Sequence, residues 1–323
     1  MIHKLPIPTP FAVGRVNVWL VEDDPLTLVD AGPNSATSLT ELEAALAARG
    51  RRVEDLGRIV VTHQHIDHIG LVDILAQRSG AEVCALDRLA PWLERYSTSM
   101  EEDDAFAEAI MLRHGIPPEL ALGLRAVTQG FRAWGHRASV DHPLADGAEL
   151  AFAARTWRVH HRPGHSPSDT IFHDERSGQV LGGDHLLAHI SSNPLLSRPL
   201  EGGGADEAKR PRALMVYLDS LRATRAMEGV RVVLPGHGDE VTDHVALIDE
   251  RFAMHERRER KLAGLIAERP RTAFELAQAL WGNVAVTQAY LALSEVLGHV
   301  DVLLDRGDVR EHEDGGVVRF SVA

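Results

Sequence analysis

The sequence predicts an α/β layered domain followed by a smaller, mostly helical appendage. Strand and helix patterns alternate up to about residue 240, which argues for layers of helices on sheets. After about residue 250 the pattern turns to helices closed by two short strands. Several of the strands end in histidine or aspartate, and those ends carry the chemistry.

The elements follow in order. VNVWLVED (16–23) and PLTLVDAGP (25–33) read as strands ending in turn residues. SLTELEAALAARG (38–50) reads as a helix, with Ser38 as its cap and Gly50 as its stop. GRIVVT (57–62) is a buried strand by length and β-branching, LVDILAQRSG (71–80) a helix and AEVCALD (81–87) a strand. Residues 88 to about 135 have helical spacing broken at Pro117 and Pro118, and read as a helical insertion that either covers a site or lies on the surface without touching substrate. Strands return in LAFAARTWRVHHRPG (150–164). TIFHDERSGQVLGGD (170–184) contains the turn signal ERSG and is expected to form a hairpin. EGGGADEAKRP (201–211) reads as a flexible loop, 211–228 as an amphipathic helix and VRVVLPGHGD (230–239) as a strand running into a loop. The expected division is a catalytic domain over 1–250 and a small C-terminal helical domain over 251–323.

Composition narrows the class. The chain has 323 residues, 44% hydrophobic and 25% charged, which excludes collagen-like and disordered readings. Cys84 is the one cysteine, so neither an internal disulfide nor a thiolate metal cluster is available. No apolar run reaches the ~18 residues of a membrane span, and the start lacks the apolar core of a signal peptide. A soluble, cytoplasmic protein without membrane partners is the expectation. The net charge is −13, and the tail after residue 250 is nearly balanced, with 10 Lys/Arg against 11 Asp/Glu. Phosphate contacts dominate nucleic-acid affinity, so an acidic main domain is a poor grip for RNA or DNA. A small-molecule substrate is expected instead.

The 18 histidines decide the case. His63-Gln64-His65-Ile66-Asp67-His68 directly follows an apolar strand, so three imidazoles and a carboxylate converge on a small space. Folding alone does not favour this, because crowded imidazoles bury polar nitrogens that need partners. A divalent metal supplies the partner, and imidazole with carboxylate suits zinc, iron or manganese. Three further strand ends have a Gly turn and a potential ligand: His165 after RPG, Asp184 after LGG and His237 after LPG.

With HxHxDH matched by His63, His65, Asp67 and His68, the sequence resembles the metallo-β-lactamase-fold hydrolase superfamily. The resemblance covers about residues 10 to 240. It implies an αββα sandwich with two divalent metal ions at one edge, zinc being expected and iron or manganese the alternatives. One ion would be held by His63, His65 and His165, and the other by Asp67, His68 and His237, with Asp184 bridging. Asp30, in LVDAGP, resembles the family's early aspartate turn and is the candidate acceptor that fixes a ligand histidine. Two ions ~3.5–4 Å apart share a water and lower its pKa towards neutrality. The hydroxide attacks an electrophilic centre, and Asp67 accepts a hydrogen bond from the water.

Phrases such as GHSPSD, GGDHLL and LPGHGD resemble the glyoxalase II-like branch with a C-terminal winged helix. That implies a hydrolase of small thioesters or activated esters, with lactone hydrolase and single-strand endoribonuclease as alternatives. The Arg257, Arg258, Arg260 and Lys261 cluster would serve the ribonuclease, but Glu256 and Glu259 interleave with it as on a solvated ion-pair face. The tail helices suit a homodimer equally well. His185 adjoins Asp184 and is placed to approach the leaving group, and His189 to line the pocket. Ser166 and Ser168 read as turn and cap residues, Tyr217 as packing.

Overall fold

The computed structural model describes residues 1–201, 210–283 and 288–323, so most of the predicted 201–211 loop lies outside the described residues. Within them, no helix is long and apolar enough to cross a membrane. The chain forms two compact units. The first gathers Met1–Met100, Gly130–Ser192 and Met227–His244, and the second Glu101–Gln129, Asn193–Ala226 and Val245–Ala323. A single cut near residue 250 therefore does not describe the division. The helical stretch 88–135 is shared, because residues 101–129 bury their apolar side chains with the C-terminal helices.

In the first unit, six strands run in the order β1 (Ile2–Ile7), β2 (Val16–Val21), β3 (Thr27–Val29), β4 (Arg58–Val60), β5 (Glu82–Leu86) and β6 (His142–Leu144). The β1–β2 and β2–β3 pairs are antiparallel, and β3 through β6 are parallel. A second sheet has the order β11 (Val232–Pro235), β10 (Gln179–Gly183), β9 (Thr170–Asp174), β8 (Thr156–His161) and β7 (Glu149–Ala151). Its β9–β10 pair is the hairpin expected from ERSG, turning at Gly178 with φ +73°. Sequence reading passed over β1 and β6. Each carries a proline, Pro6 or Pro143, which blurs the strand pattern yet is tolerated on an edge strand.

The sheets pack face to face. Trp19, Val21, Val29 and Val60 of the first meet Trp157, Val159, Phe172 and Leu181 of the second. Trp157 is 1% exposed, and truncating such a residue to alanine costs about 3–5 kcal/mol. Helices α1 (Ala36–Ala47) and α3 (Val72–Ser79) pack against the first sheet, and the short α2 (Ile66–Ile69) lies between them in the chain. The cap of α1 is Ser35 rather than Ser38. Ser35 is extended (φ −147°, ψ 153°) and its hydroxyl accepts from the Ser38 amide, while the Ser38 hydroxyl donates to the Pro8 carbonyl.

After β5 the chain runs through α4 (Ala90–Glu94), α5 (Tyr96–Arg113) and α6 (Pro118–Phe131). The second unit adds α7 (Ala213–Arg225), α8 (His244–Glu268), α9 (Ala273–Trp281) and α10 (Ala289–Arg306). A hairpin of β12 (Val309–Asp314) and β13 (Val317–Val322) follows. Gly315 and Gly316 both have positive φ, the conformation a two-residue hairpin turn demands. Thr272 and Glu275 cap α9 reciprocally. Leu262, Leu276, Leu293, Leu297 and Phe320 lie in this unit's core, together with Tyr217 of α7 among its fully buried side chains.

Candidate metal centre

The site forms where strands of both sheets end. Parallel strands β3 and β4 deliver Asp30 and the 62–68 segment to one edge. From the other sheet, β10 and β11, also parallel, deliver Asp184 and His237, and the turn after β8 delivers His165. Open α/β sheets present side chains for ligands beyond the carboxyl ends of their strands. Two backbone bonds clamp the sheets together here: Thr170 N–H donates to Thr62 O at 3.0 Å, and Asn17 N–H to Gly236 O at 2.6 Å.

Three groups of side chains bring their ligand atoms within 4.8 Å of one another: His63, His65 and His165; His63, His68 and Asp184; and Asp67, His68 and His237. Asp184 stands among them, with carboxylate oxygens 3.5 Å from His68 Nε2, 3.7 Å from His165 Nε2 and 3.5 Å from His237 Nε2. His237 Nε2 also lies 3.3 Å from Asp67 Oδ2, and His65 Nδ1 faces His165 Nε2 at 3.0 Å.

The surrounding hydrogen bonds fix how the imidazoles present themselves. His68 Nδ1–H donates to Asp30 Oδ2 at 2.8 Å, leaving the Nε2 lone pair for the site. His237 Nδ1–H donates to the Arg15 carbonyl at 2.8 Å with the same result. Thr62 Oγ1–H donates to Asp30 Oδ2, so the same oxygen accepts from His63 Nδ1–H at 2.9 Å. His63 thus also turns its Nε2 lone pair inward. Donation of the other ring nitrogen to an oxygen is the usual support of a metal-binding histidine. Thr62 and the Arg15 carbonyl were not singled out from sequence. Thr62 directly precedes the histidine run, but its role depends on Asp30, 32 residues away in the chain.

A divalent ion fits this donor set. His63 Nε2, His68 Nε2 and Asp184 Oδ1 are buried with no hydrogen-bond partner among the described residues, a costly arrangement unless something fills it. Burial holds His63 well below its ordinary pKa and pushes His65 down to about 3, with His165 adding to that shift. Both are neutral and able to ligate at pH 7. Burial opposes charge on His68, yet Asp184, Asp30 and Asp67 hold its pKa well above the usual value. The same burial opposes charge on Asp184, yet His68 and His237 keep its carboxyl well below the usual range. The carboxylates therefore demand positive charge at this point.

Other predicted residues lie around the site. His185 follows Asp184 and is 1% exposed, its pKa pushed down to about 3 by burial and then by Arg162 and His165. His189 is on the surface, with Nε2 2.8 Å from Asp239. Ser166 serves the turn, its hydroxyl donating to Asp169 Oδ1 at 2.8 Å, and the Ser168 hydroxyl donates to Gln64 Oε1. Cys84 is buried in β5 between the sheets.

Comparison with known proteins agrees with this architecture. The family model of the metallo-beta-lactamase superfamily matches residues 12–237. The chain is 33% identical over 314 residues to the probable metallo-hydrolase YqjP of Bacillus subtilis, covering 97% of this chain and 95% of that protein. It is 25% identical over 188 residues to an atrochrysone carboxyl ACP thioesterase of Aspergillus terreus, covering 56% of this chain and 52% of the other. Among solved structures, a beta-lactamase domain protein from Burkholderia ambifaria superposes with a TM-score of 0.82 at 28% identity, covering 100% of this chain and 92% of that one. A metallo-beta-lactamase family protein from Thermus thermophilus gives 0.78 at 27% identity, covering 100% and 98%. With histidines at three strand ends and Asp184 at a fourth gathered at one edge, and a family model that spans them, this chain belongs to the metallo-beta-lactamase superfamily.

Proposed function

We propose that the protein is a dinuclear metal-dependent hydrolase of a small thioester or activated ester, of the glyoxalase II-like kind. The observation that carries this is the pair of ligand groups meeting at Asp184: His63, His65 and His165 on one side, and Asp67, His68 and His237 on the other. Divalent ions in such a pair of sites supply a water activated at neutral pH and Lewis-acid stabilisation of the negative charge that develops on the substrate.

The chain's own residues do the rest. Asp30, Thr62 and the Arg15 carbonyl hold three imidazoles in their ligating orientation. Asp67, which with His68 and His237 would hold one ion, would also offer a carboxylate oxygen to accept a hydrogen bond from a water bound there. The thioesterase among the relatives supports an acyl thioester as the substrate class. The basic cluster on α8 gives little support to RNA binding, because Arg258 lies 3.4 Å from Glu295 and Arg260 lies 3.7 Å from Glu256.

The test is elemental analysis for metal, together with turnover of acyl-CoA and acyl-glutathione panels by the wild type and by His63→Ala. About two ions per chain and turnover abolished in the variant are expected. Two ions with no thioester turnover would overturn the substrate class and direct attention to lactones. Less than one firmly bound ion under metal-replete conditions would overturn the dinuclear reading itself.

A further inference from the structure

A second cavity in the first unit has a different chemistry. It is an open cleft of about 480 Å³ lined by Asn34, Tyr96, Ser97, Arg132, Gly135, His136 and Arg137, together with Ala133. That volume falls within the range of about 300–1,000 Å³ of small-molecule sites. Two arginines, a histidine, an asparagine, a tyrosine and a serine are among the lining residues, and no aspartate or glutamate is. His136 Nδ1 lies 3.4 Å from Asp73 Oδ2. Among the described residues, the Arg137 guanidinium has no ion pair or hydrogen bond. Tyr96 and Ser97 open the 18-residue helix α5, and a helix start presents N–H groups and the positive end of its dipole.

The walls are built rather than incidental. The Asn34 N–H donates to the Trp134 carbonyl at 2.6 Å, and the Tyr96 hydroxyl to the Arg132 carbonyl at 2.7 Å. A Cβ on Gly135 would meet the Tyr96 hydroxyl at 2.3 Å, so only glycine leaves that ring in place. The same wall backs onto the metal-centre segment, since a Cβ on Gly70 would meet Asn34 N at 2.2 Å and Trp134 O at 2.3 Å.

We infer that this cavity binds the phosphate group of a small phosphorylated molecule, with Arg137 and Arg132 as its principal contacts. Charge-assisted bonds from guanidinium forks are the strong recognition elements for phosphate. The cavity exceeds what a bare phosphate needs, so the remainder of the molecule is held there too. The inference does not depend on which ester the metal centre hydrolyses.

The test is calorimetric titration of the metal-loaded protein with inorganic phosphate, pyrophosphate and ADP, repeated on Arg137→Ala and on His63→Ala. The expected result is binding that persists in His63→Ala and weakens about tenfold or more in Arg137→Ala. ADP tighter than phosphate would show that the cavity holds the rest of the molecule, and equal affinities would restrict it to a bare phosphate. Arg137→Ala should fold normally, because that guanidinium holds no other residue in place, and an unchanged melting temperature checks this. Binding lost in His63→Ala but kept in Arg137→Ala would put the anion on the metal centre and overturn the inference. So would the absence of millimolar binding to the wild type.

Discussion

Asp30 Oδ2 lies 2.8 Å from His68 Nδ1, and the same oxygen accepts from the Thr62 hydroxyl that supports His63. One carboxylate therefore orients two histidines of the candidate centre, one directly and one through a threonine. Its backbone sits at φ +60°, a conformation aspartate tolerates better than most residues, and its second oxygen accepts from Thr62 N–H at 2.9 Å. Asp30→Ala is expected to weaken metal binding by about 10–100-fold without unfolding the sheets. Asp30→Asn, which retains an acceptor oxygen, should lose less. Competition with a chromogenic chelator measures both, and unchanged affinity in Asp30→Ala would show that the histidines are oriented by other means.

Gly236 offers a way to disturb the centre without touching a ligand. A Cβ there would meet Asp184 Oδ1 at 2.2 Å and His68 Cε1 at 2.8 Å. Asp184 is buried and enclosed, so it can yield only by leaving the position it holds between the two ligand groups. Gly236→Ala should reduce metal content to less than half that of the wild type while circular dichroism stays the same. Full metal content in that variant would mean that the carboxylate relocates at little cost.

Metal removal should also be visible in stability. Ligands come from four separate strand ends, so an ion bound to the folded state ties these ends together. A ligand at 100 times its Kd adds about 2.7 kcal/mol, and each kcal/mol moves the melting temperature by about 2–4 °C in a chain of this size. Chelation should lower the melting temperature by several degrees, and readdition of zinc should restore it. A melting temperature indifferent to chelator would argue against tight binding.

Much of this was legible in the chain because the informative residues are close in sequence. The 63–68 run, the two Pro-Gly-His turns and the Gly-Gly-Asp turn each state locally that a strand ends in a candidate ligand. The β9–β10 hairpin was readable for the same reason, since ERSG and its flanking apolar runs are contiguous. What escaped depends on distant partners. The support of His63 by Thr62 needs Asp30, and that of His237 needs the carbonyl of Arg15, which no side-chain pattern announces. The division of the chain escaped too, because residues 101–129 look like any amphipathic helices until their apolar side chains find the C-terminal core. Ser38 looked like a cap because the helix was read as starting three residues late.

His114 makes the second unit sensitive to acid. It is 2% exposed, its ring lies parallel to Phe320 at 6.1 Å, and burial pushes its pKa down to about 3, with Arg210 and Arg113 adding to the shift. The unfolded chain protonates this residue near the ordinary histidine value of 6.5, whereas the folded unit resists the proton until about pH 3. Between these values the unfolded state binds more protons, so stability falls as pH falls, by up to about 1.4 kcal/mol per pH unit for this one group. Above pH 6.5 the group is neutral in both states and contributes no slope. Replacing it by leucine removes this contribution while keeping an apolar side chain against Phe320. Urea melts of wild type and His114→Leu should therefore differ by a constant amount above pH 7. Below pH 6 the wild type should lose ground to the variant. A stability difference that stays flat from pH 7 to pH 4.5 would show that His114 takes up its proton in the folded state, and that the packing around Phe320 opens to admit it.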